Sequence, residues 1–168
     1  MLMKQTITKL YRYNYWANHL ILEKAAQVTE TQFTEPTAFS AGSLRRTLVH
    51  TLSTEWIWRS RCQLGVSRSA MLQEADFPTL AAITTRWQEE EQAMLSYVET
   101  VTDADLSQTI TYTNTAGTVS YETLLGDILH HLVLHGMQHR SEMAAMLTSF
   151  GQSPGDIDFI AFLRRTSS

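Results

Sequence analysis

Apolar side chains recur about every 3.6 positions along most of this chain, which is the spacing of one helix face. The pattern predicts a first helix at about residues 2–26, where the apolar positions are Ile7, Leu10, Tyr11, Tyr13, Trp16, Ala17, Leu20, Ile21 and Ala25. A second long helix is expected at residues 44–64, because Ser43 is a suitable N-cap and Gly65 is a suitable C-terminal stop.

Two further long helices are predicted in the second half of the chain. Pro78 and Thr79 open a third helix that reaches about residue 101. A fourth is expected from about residue 122 to residue 150, and Gly151 ends it. The segments before the second and third helices, residues 30–42 and 66–77, are expected to be connections, and a short C-terminal helix is expected at about residues 157–165.

The pattern changes between residues 105 and 121, where β-branched and aromatic residues surround a turn that contains Gly117. This composition predicts a small β-hairpin before the last long helix. Four long helices joined by connections of uneven length are typical of an all-α four-helix bundle. The absence of a repeat or a long linker favours one domain over residues 1–168.

Composition narrows the classes of function. Hydrophobic residues make up 43% of the 168 positions and charged residues 18%, which is typical of a folded globular domain. The net charge of −4 argues against nucleic-acid binding, and no stretch has the ~20 apolar residues of a membrane span. A single cysteine, Cys62, excludes an intrachain disulfide, so a cytoplasmic location is expected.

Three histidines recur every fourth residue in the predicted fourth helix. His139 falls within its apolar stripe, His135 lies near the margin, and His131 lies further outward. Burying an unpartnered imidazole costs about 1–3 kcal/mol, and a metal ion would serve both inward rings. His50, in the predicted second helix, is the natural third ligand. The alternative is that each buried histidine bonds to a carbonyl or a carboxylate.

Two residues near the predicted ligands are candidate catalytic groups. Glu142 shares a helix side with His135 and His139, so it is expected either to accept a hydrogen bond from a ligand ring or to be a solvated acid. His131 is expected to contact substrate, to lie just outside the ligands or to face solvent. A metal site of this kind needs a general acid or base, and these two residues are the candidates.

Four segments of the sequence are similar to the DinB family of metalloproteins. They are YNYWAN at 13–18, VH at 49–50 followed by EWIW at 55–58, HLVLHGMQHR at 131–140, and DIDFIAFL at 156–163. The resemblance spans nearly the whole chain. It implies a down-up-up-down bundle with a long crossover between the second and third helices, a divalent metal on His50, His135 and His139, and a homodimer.

The resemblance also suggests an activity. Relatives include S-transferases that use the thiols bacillithiol or mycothiol, and the maleylpyruvate isomerase group. We therefore expect a small-molecule substrate, with a low-molecular-weight thiol as a candidate co-substrate. Zinc or nickel is the expected metal, and iron or manganese would also suit the site. The alternatives are a metal-dependent hydrolase and a non-catalytic bundle held together by a structural metal.

Overall fold

A computed structural model describes residues 2–166 and shows a mostly helical protein with one small antiparallel hairpin. Four long helices alternate with short elements in chain order. The long helices are α1 (Leu2–Ala25), α3 (Leu44–Leu64), α4 (Leu80–Thr100) and α6 (Leu125–Ser149). The short elements are α2 (Glu30–Thr34), α5 (Asp103–Leu106), β1 (Thr109–Thr113), β2 (Ser120–Leu124) and α7 (Phe159–Thr166).

The predicted ends of α3 and the start of α4 are confirmed. The Ser43 hydroxyl accepts a hydrogen bond from the backbone N–H of Arg46, which satisfies one of the free donors at the start of α3. Gly65 ends the helix in the left-handed region at φ 66°, where its N–H bonds the carbonyl of Ser60. Thr79 caps α4 in the same way as Ser43 caps α3.

The structure corrects the sequence predictions where short elements begin. The predicted connection 30–42 contains α2, because Thr29 and Gln32 form a reciprocal capping box at its start. The expected loop 66–77 includes a 3₁₀ turn at Glu74–Asp76. The fourth long helix starts at Leu125 rather than at residue 122, and α7 starts at Phe159. Residues 122–124 belong instead to β2, where Leu124 pairs with Thr109 of β1.

The core lies between the four long helices and divides into two main apolar clusters. One surrounds Leu48, Trp87 and Met143, and the other surrounds Tyr11 and Met94. Helix α6 packs against α1 and α3, and α4 packs against the same two helices. Among residues 2–166, no helix is long and apolar enough to cross a membrane.

A polar contact is buried where α1 meets α6. Arg140 is almost fully enclosed, and its Nη1 donates to the side-chain oxygens of Asn14 and, at 3.0 Å, Asn18. The guanidinium also lies over the ring of Tyr13, 5.4 Å from its centroid. Gly136 makes room for this arrangement, since an added Cβ would lie 2.8 Å from Asn14 Oδ1 and 3.0 Å from Arg140 Nη1.

We expect Gly136→Ala to lower the free energy of unfolding by about 1–2 kcal/mol, as measured by urea denaturation. On an exposed helix the same change would stabilise by about 1 kcal/mol, because alanine is the better helix former. Here the clash with Asn14 and Arg140 outweighs that gain. Ser141→Ala, at an exposed position of α6, is the control that should cause no loss. A stabilised Gly136→Ala would contradict the close contact.

A buried carboxyl group, that of Glu55, lies between α1 and α3. Glu55 accepts a hydrogen bond from the Tyr15 hydroxyl, and both residues are buried. Burial, together with the nearby negative charge of Glu90, raises the pKa of Glu55 from 4.5 to about 8, although Arg140 acts in the opposite direction. Glu90 is itself held by Arg59 of α3. Glu55 is therefore largely protonated, and uncharged, at neutral pH.

Candidate metal centre

Two helices bring three imidazole rings together. His135 and His139 lie one turn apart on α6, and His50 reaches them from α3. The Nε2 of His135 is 3.3 Å from the Nε2 of His50 and 3.2 Å from the Nε2 of His139. One nitrogen from each ring lies within 4.8 Å of the other two, so the three residues could hold a metal ion.

The spacing of these nitrogens fits a metal site. Ligand nitrogens at about 2.0–2.1 Å from a tetrahedral zinc lie roughly 3.3 Å apart, close to the two separations seen here. Within residues 2–166, none of the three rings bonds to a backbone carbonyl, and of the three only His139 bonds to a carboxylate, through the ring nitrogen that faces away from the other two rings. The rings face one another, and their donor set is the neutral nitrogen type that suits transition metals.

The surroundings keep two of these rings uncharged. Burial, reinforced by the neighbouring histidines, lowers the pKa of His135 to about 4. The pKa of His50 is also lowered, first by partial burial and then by His139, with Glu142 acting in the opposite direction. A histidine must be neutral to ligate a metal. Because His135 is already neutral at pH 7, metal binding there needs no free energy to remove a proton from this ring.

His139 is oriented from behind by a carboxylate. Glu142 Oε2 lies 2.8 Å from His139 Nδ1, and Ser40 Oγ donates to Glu142 Oε1 at 3.0 Å. A carboxylate on the far ring nitrogen is the usual partner of a ligating histidine, because it fixes the ring and leaves Nε2 free. The contact between Glu142 and a candidate ligand matches one of the two alternatives derived from the sequence.

His131 lies beside the three rings but is not one of the group that could hold the ion. It is exposed, and its ring is 5.7 Å from that of His135 and 5.8 Å from that of Trp58. The outward drift predicted from helical geometry is confirmed by burial, since His139 is buried, His135 half-buried and His131 exposed. His131 is therefore available to solvent or to a small molecule next to the site.

The cavity beside His50 is small. A space of about 280 Å³ is bordered by His50, Arg46, Met71 and Glu74. Two larger cavities, of about 810 and 630 Å³, lie where α1 meets α4, and none of the three histidines lines either of them. The three imidazole rings and their partners therefore identify this site, whereas the largest of these cavities lies away from it.

Two contributors to the site escaped the sequence analysis. Ser40 lies in an exposed connection 102 residues before Glu142, and no periodicity marks it. Trp58 extends the site along α3, and in the sequence it was identified only as part of the EWIW segment at 55–58, without a role at the site. Cys62 is half-buried and free, and burial raises its pKa to about 12.

Comparison with known proteins agrees with the geometry of the site. Among curated proteins, none matches this chain. The model of the DinB family matches residues 3–167, which is nearly the entire sequence and includes all three converging histidines. This match and the three-histidine cluster establish that the chain belongs to the DinB family.

Proposed function

We propose that this protein is a metal-dependent enzyme in which His50, His135 and His139 hold a divalent ion, and that it transfers a low-molecular-weight thiol to an electrophilic substrate. The observation that carries the proposal is the convergence of three Nε2 atoms from two helices, with neighbouring pairs 3.2 and 3.3 Å apart. Three neutral ligands leave the ion its full charge and an open position. Zinc and nickel are the first candidates for the ion.

When bound, the ion would supply Lewis acidity, which lowers the pKa of a thiol or water at the open position. The chain supplies the rest. Glu142 fixes the ring of His139 and is itself held by Ser40, so it serves best as a positioning residue. His131 is exposed next to His135 and is free of such contacts among the described residues, so it is the better proton carrier.

We also propose that one domain spanning the chain forms the down-up-up-down bundle of the family. Tyr11 of α1 contacts Leu129 of α6, and Asn18 contacts Arg140, so this pair runs parallel. His19 of α1 contacts Glu91 of α4, and the earlier residue Lys4 donates to the backbone carbonyl of the later residue Glu99. These two contacts support an antiparallel arrangement of α1 and α4. Helices α3 and α6 have the same antiparallel relation, from contacts His50–His135 and Trp58–His131.

The test is metal analysis of untagged protein, purified without a nickel resin, followed by an activity screen. The screen pairs electrophiles with low-molecular-weight thiols, and metal-loaded protein is compared with chelated protein. We expect about one divalent ion per chain and thiol consumption that chelation abolishes. Turnover of esters or amides without a thiol would favour the hydrolase. A metal that raises thermal stability while no reaction occurs would favour the structural role.

The same screen separates the two candidate catalytic residues. Glu142→Gln should lower metal affinity about 10- to 100-fold, because the carboxylate that orients His139 is lost. His131→Gln should leave metal content unchanged and lower turnover of the loaded protein about 100-fold, within the usual range for a general acid or base. Full activity in His131→Gln would contradict its role as proton carrier.

A further inference from the structure

A second cavity lies between α3 and the β-hairpin, and one of its walls is Trp58, which contacts His131. Its volume is about 370 Å³, within the range of about 300–1,000 Å³ that small-molecule sites occupy. The walls are mainly apolar and aromatic, and they include Trp58, Tyr112 and Tyr121. Of the residues that line it in the described part of the chain, Arg61 alone is charged. The cavity therefore combines flat apolar walls with one positive charge.

Arg61 is held rigidly in this cavity. Its guanidinium carbon lies 4.6 Å from the centroid of the Trp58 ring and 4.9 Å from that of Tyr112, and these two rings contact each other with centroids 4.7 Å apart, so the cation packs against an aromatic pair. Nη2 donates to the backbone carbonyl of Thr113 at 2.9 Å. A group fixed in this way loses little entropy when it binds a ligand.

The same guanidinium has donors without partners. Arg61 is only 8% exposed, and its Nε is buried with no hydrogen bond. Over residues 2–166, Thr113 is the one hydrogen-bond acceptor for Arg61, and no carboxylate pairs with it. Burial lowers the pKa of Arg61, as expected for a cation that lacks an anionic partner. Buried charges in proteins are normally paired, and within residues 2–166 this one has no anionic partner.

The cavity adjoins the candidate metal centre along α3. The Trp58 ring contacts His131, which in turn contacts His135. Met71 borders this cavity and also the cavity at His50, so one side chain lies between the two spaces. A ligand in this cavity would lie against Trp58, on the side of the site where His131 is exposed.

We propose that Arg61 binds the carboxylate of a small organic acid whose flat apolar part lies against Trp58, Tyr112 and Tyr121. A planar guanidinium matches a carboxylate well, since its N–H donors form parallel bonds to the two oxygens. One positive charge among apolar walls suits a monoanion better than a doubly charged phosphate. The inference rests on the proposed function, because it assigns the substrate class of the same enzyme site.

The test uses phenylacetate as the probe and phenylacetamide as its uncharged match. Binding to the full chain is followed by the NMR signal of the Trp58 indole, which a Trp58→Phe variant identifies among the four tryptophans. Chelated and metal-loaded protein are both titrated. We expect phenylacetate to bind at least about tenfold more tightly than phenylacetamide in both forms, since a hydrogen bond to a charged group is worth that factor or more.

Substitutions of Arg61 test whether this residue causes the preference for phenylacetate over phenylacetamide. Arg61→Met should remove the tenfold preference for phenylacetate and leave phenylacetamide binding nearly unchanged, and Arg61→Lys should retain part of the preference. Arg68→Met is the matched control, because Arg68 also lies over a tryptophan, 4.8 Å from the Trp56 centroid, but does not line the cavity. It should leave the preference intact.

Several outcomes would overturn the proposal. Equal affinity of wild-type protein for the acid and the amide would do so, and this comparison holds even if Arg61→Met fails to fold. Preference for phenylacetate that appears only with metal and persists in Arg61→Lys and Arg61→Met would assign the carboxylate to the ion instead. Because the chelated protein is tested separately, a failure of the metal proposal would leave the result at Arg61 readable.

Discussion

Replacing His139 with alanine is expected to lower the affinity for a divalent ion by at least about a hundredfold and to leave the helical fold in place. Protein sites bind zinc with about 10 kcal/mol or more, so each of three ligands contributes about 3 kcal/mol. His139 is also the ring that Glu142 orients, so its loss removes the best-positioned ligand. Turnover should disappear together with the metal.

The measurement is a competition titration with a chromophoric chelator, with helix content followed by circular dichroism. His130→Ala is the matched control, because His130 lies on the same helix and its Nδ1 already bonds the Gly126 carbonyl at 2.9 Å. It should bind metal as wild type does. If His139→Ala retains wild-type affinity, or if His130→Ala loses it, the ligand assignment is wrong.

Glu55→Gln is expected to stabilise the protein at high pH by an amount on the order of a few kcal/mol. The pKa of Glu55 is raised by burial from 4.5 to about 8, so the folded state holds this proton more tightly than the unfolded chain does. The favourable contribution is therefore complete below about pH 4.5 and is lost as pH rises through about 8. Each pKa unit corresponds to about 1.4 kcal/mol, so most of the loss falls between pH 5 and pH 8.

Glutamine keeps the oxygen that accepts from Tyr15 but has no proton to lose. The difference in unfolding free energy between Glu55→Gln and wild type, from urea denaturation, should be near zero at pH 5 and should grow toward pH 9. Glu99→Gln is the control, because within residues 2–166 the Glu99 side chain forms just an exposed ion pair with Arg12. Its effect should stay within about 1 kcal/mol at every pH. Parallel pH curves for Glu55→Gln and wild type would show that Glu55 titrates normally.

The elements that the sequence predicted best carry their signals in adjacent residues. Ser43 and Gly65 bracket α3 because a cap satisfies backbone groups within one turn, so three or four residues contain the whole signal. The order of burial along His131, His135 and His139 follows from the rotation of about 100° per residue in a helix, and it depends on no residue distant in sequence. Helix content, the hairpin and the inward histidine pair were predictable for this reason.

The predictions that were wrong depended on partners outside the local window. Residues 122–124 continue the helical pattern in sequence, but pairing with β1 holds them in an extended strand and delays α6 to Leu125. The free energy of that pairing depends on residues of β1 that lie eleven to fifteen positions earlier in the chain. A helical repeat within residues 122–124 contains no information about those partners. The Thr29–Gln32 capping box was a local signal, and it was overlooked in a segment whose proline and small polar residues resemble a loop.

The sequence by itself therefore determined the approximate positions of the four long helices and which histidines face inward, since both follow from the geometry of one chain segment. The tertiary structure alone decided that His50 meets His135 across 85 residues, that Ser40 holds Glu142, and that Arg61 has no anionic partner within residues 2–166. Those contacts depend on how helices cross and which rotamers fit between them. The energy of such packing belongs to pairs of elements distant in sequence, and no single segment contains it.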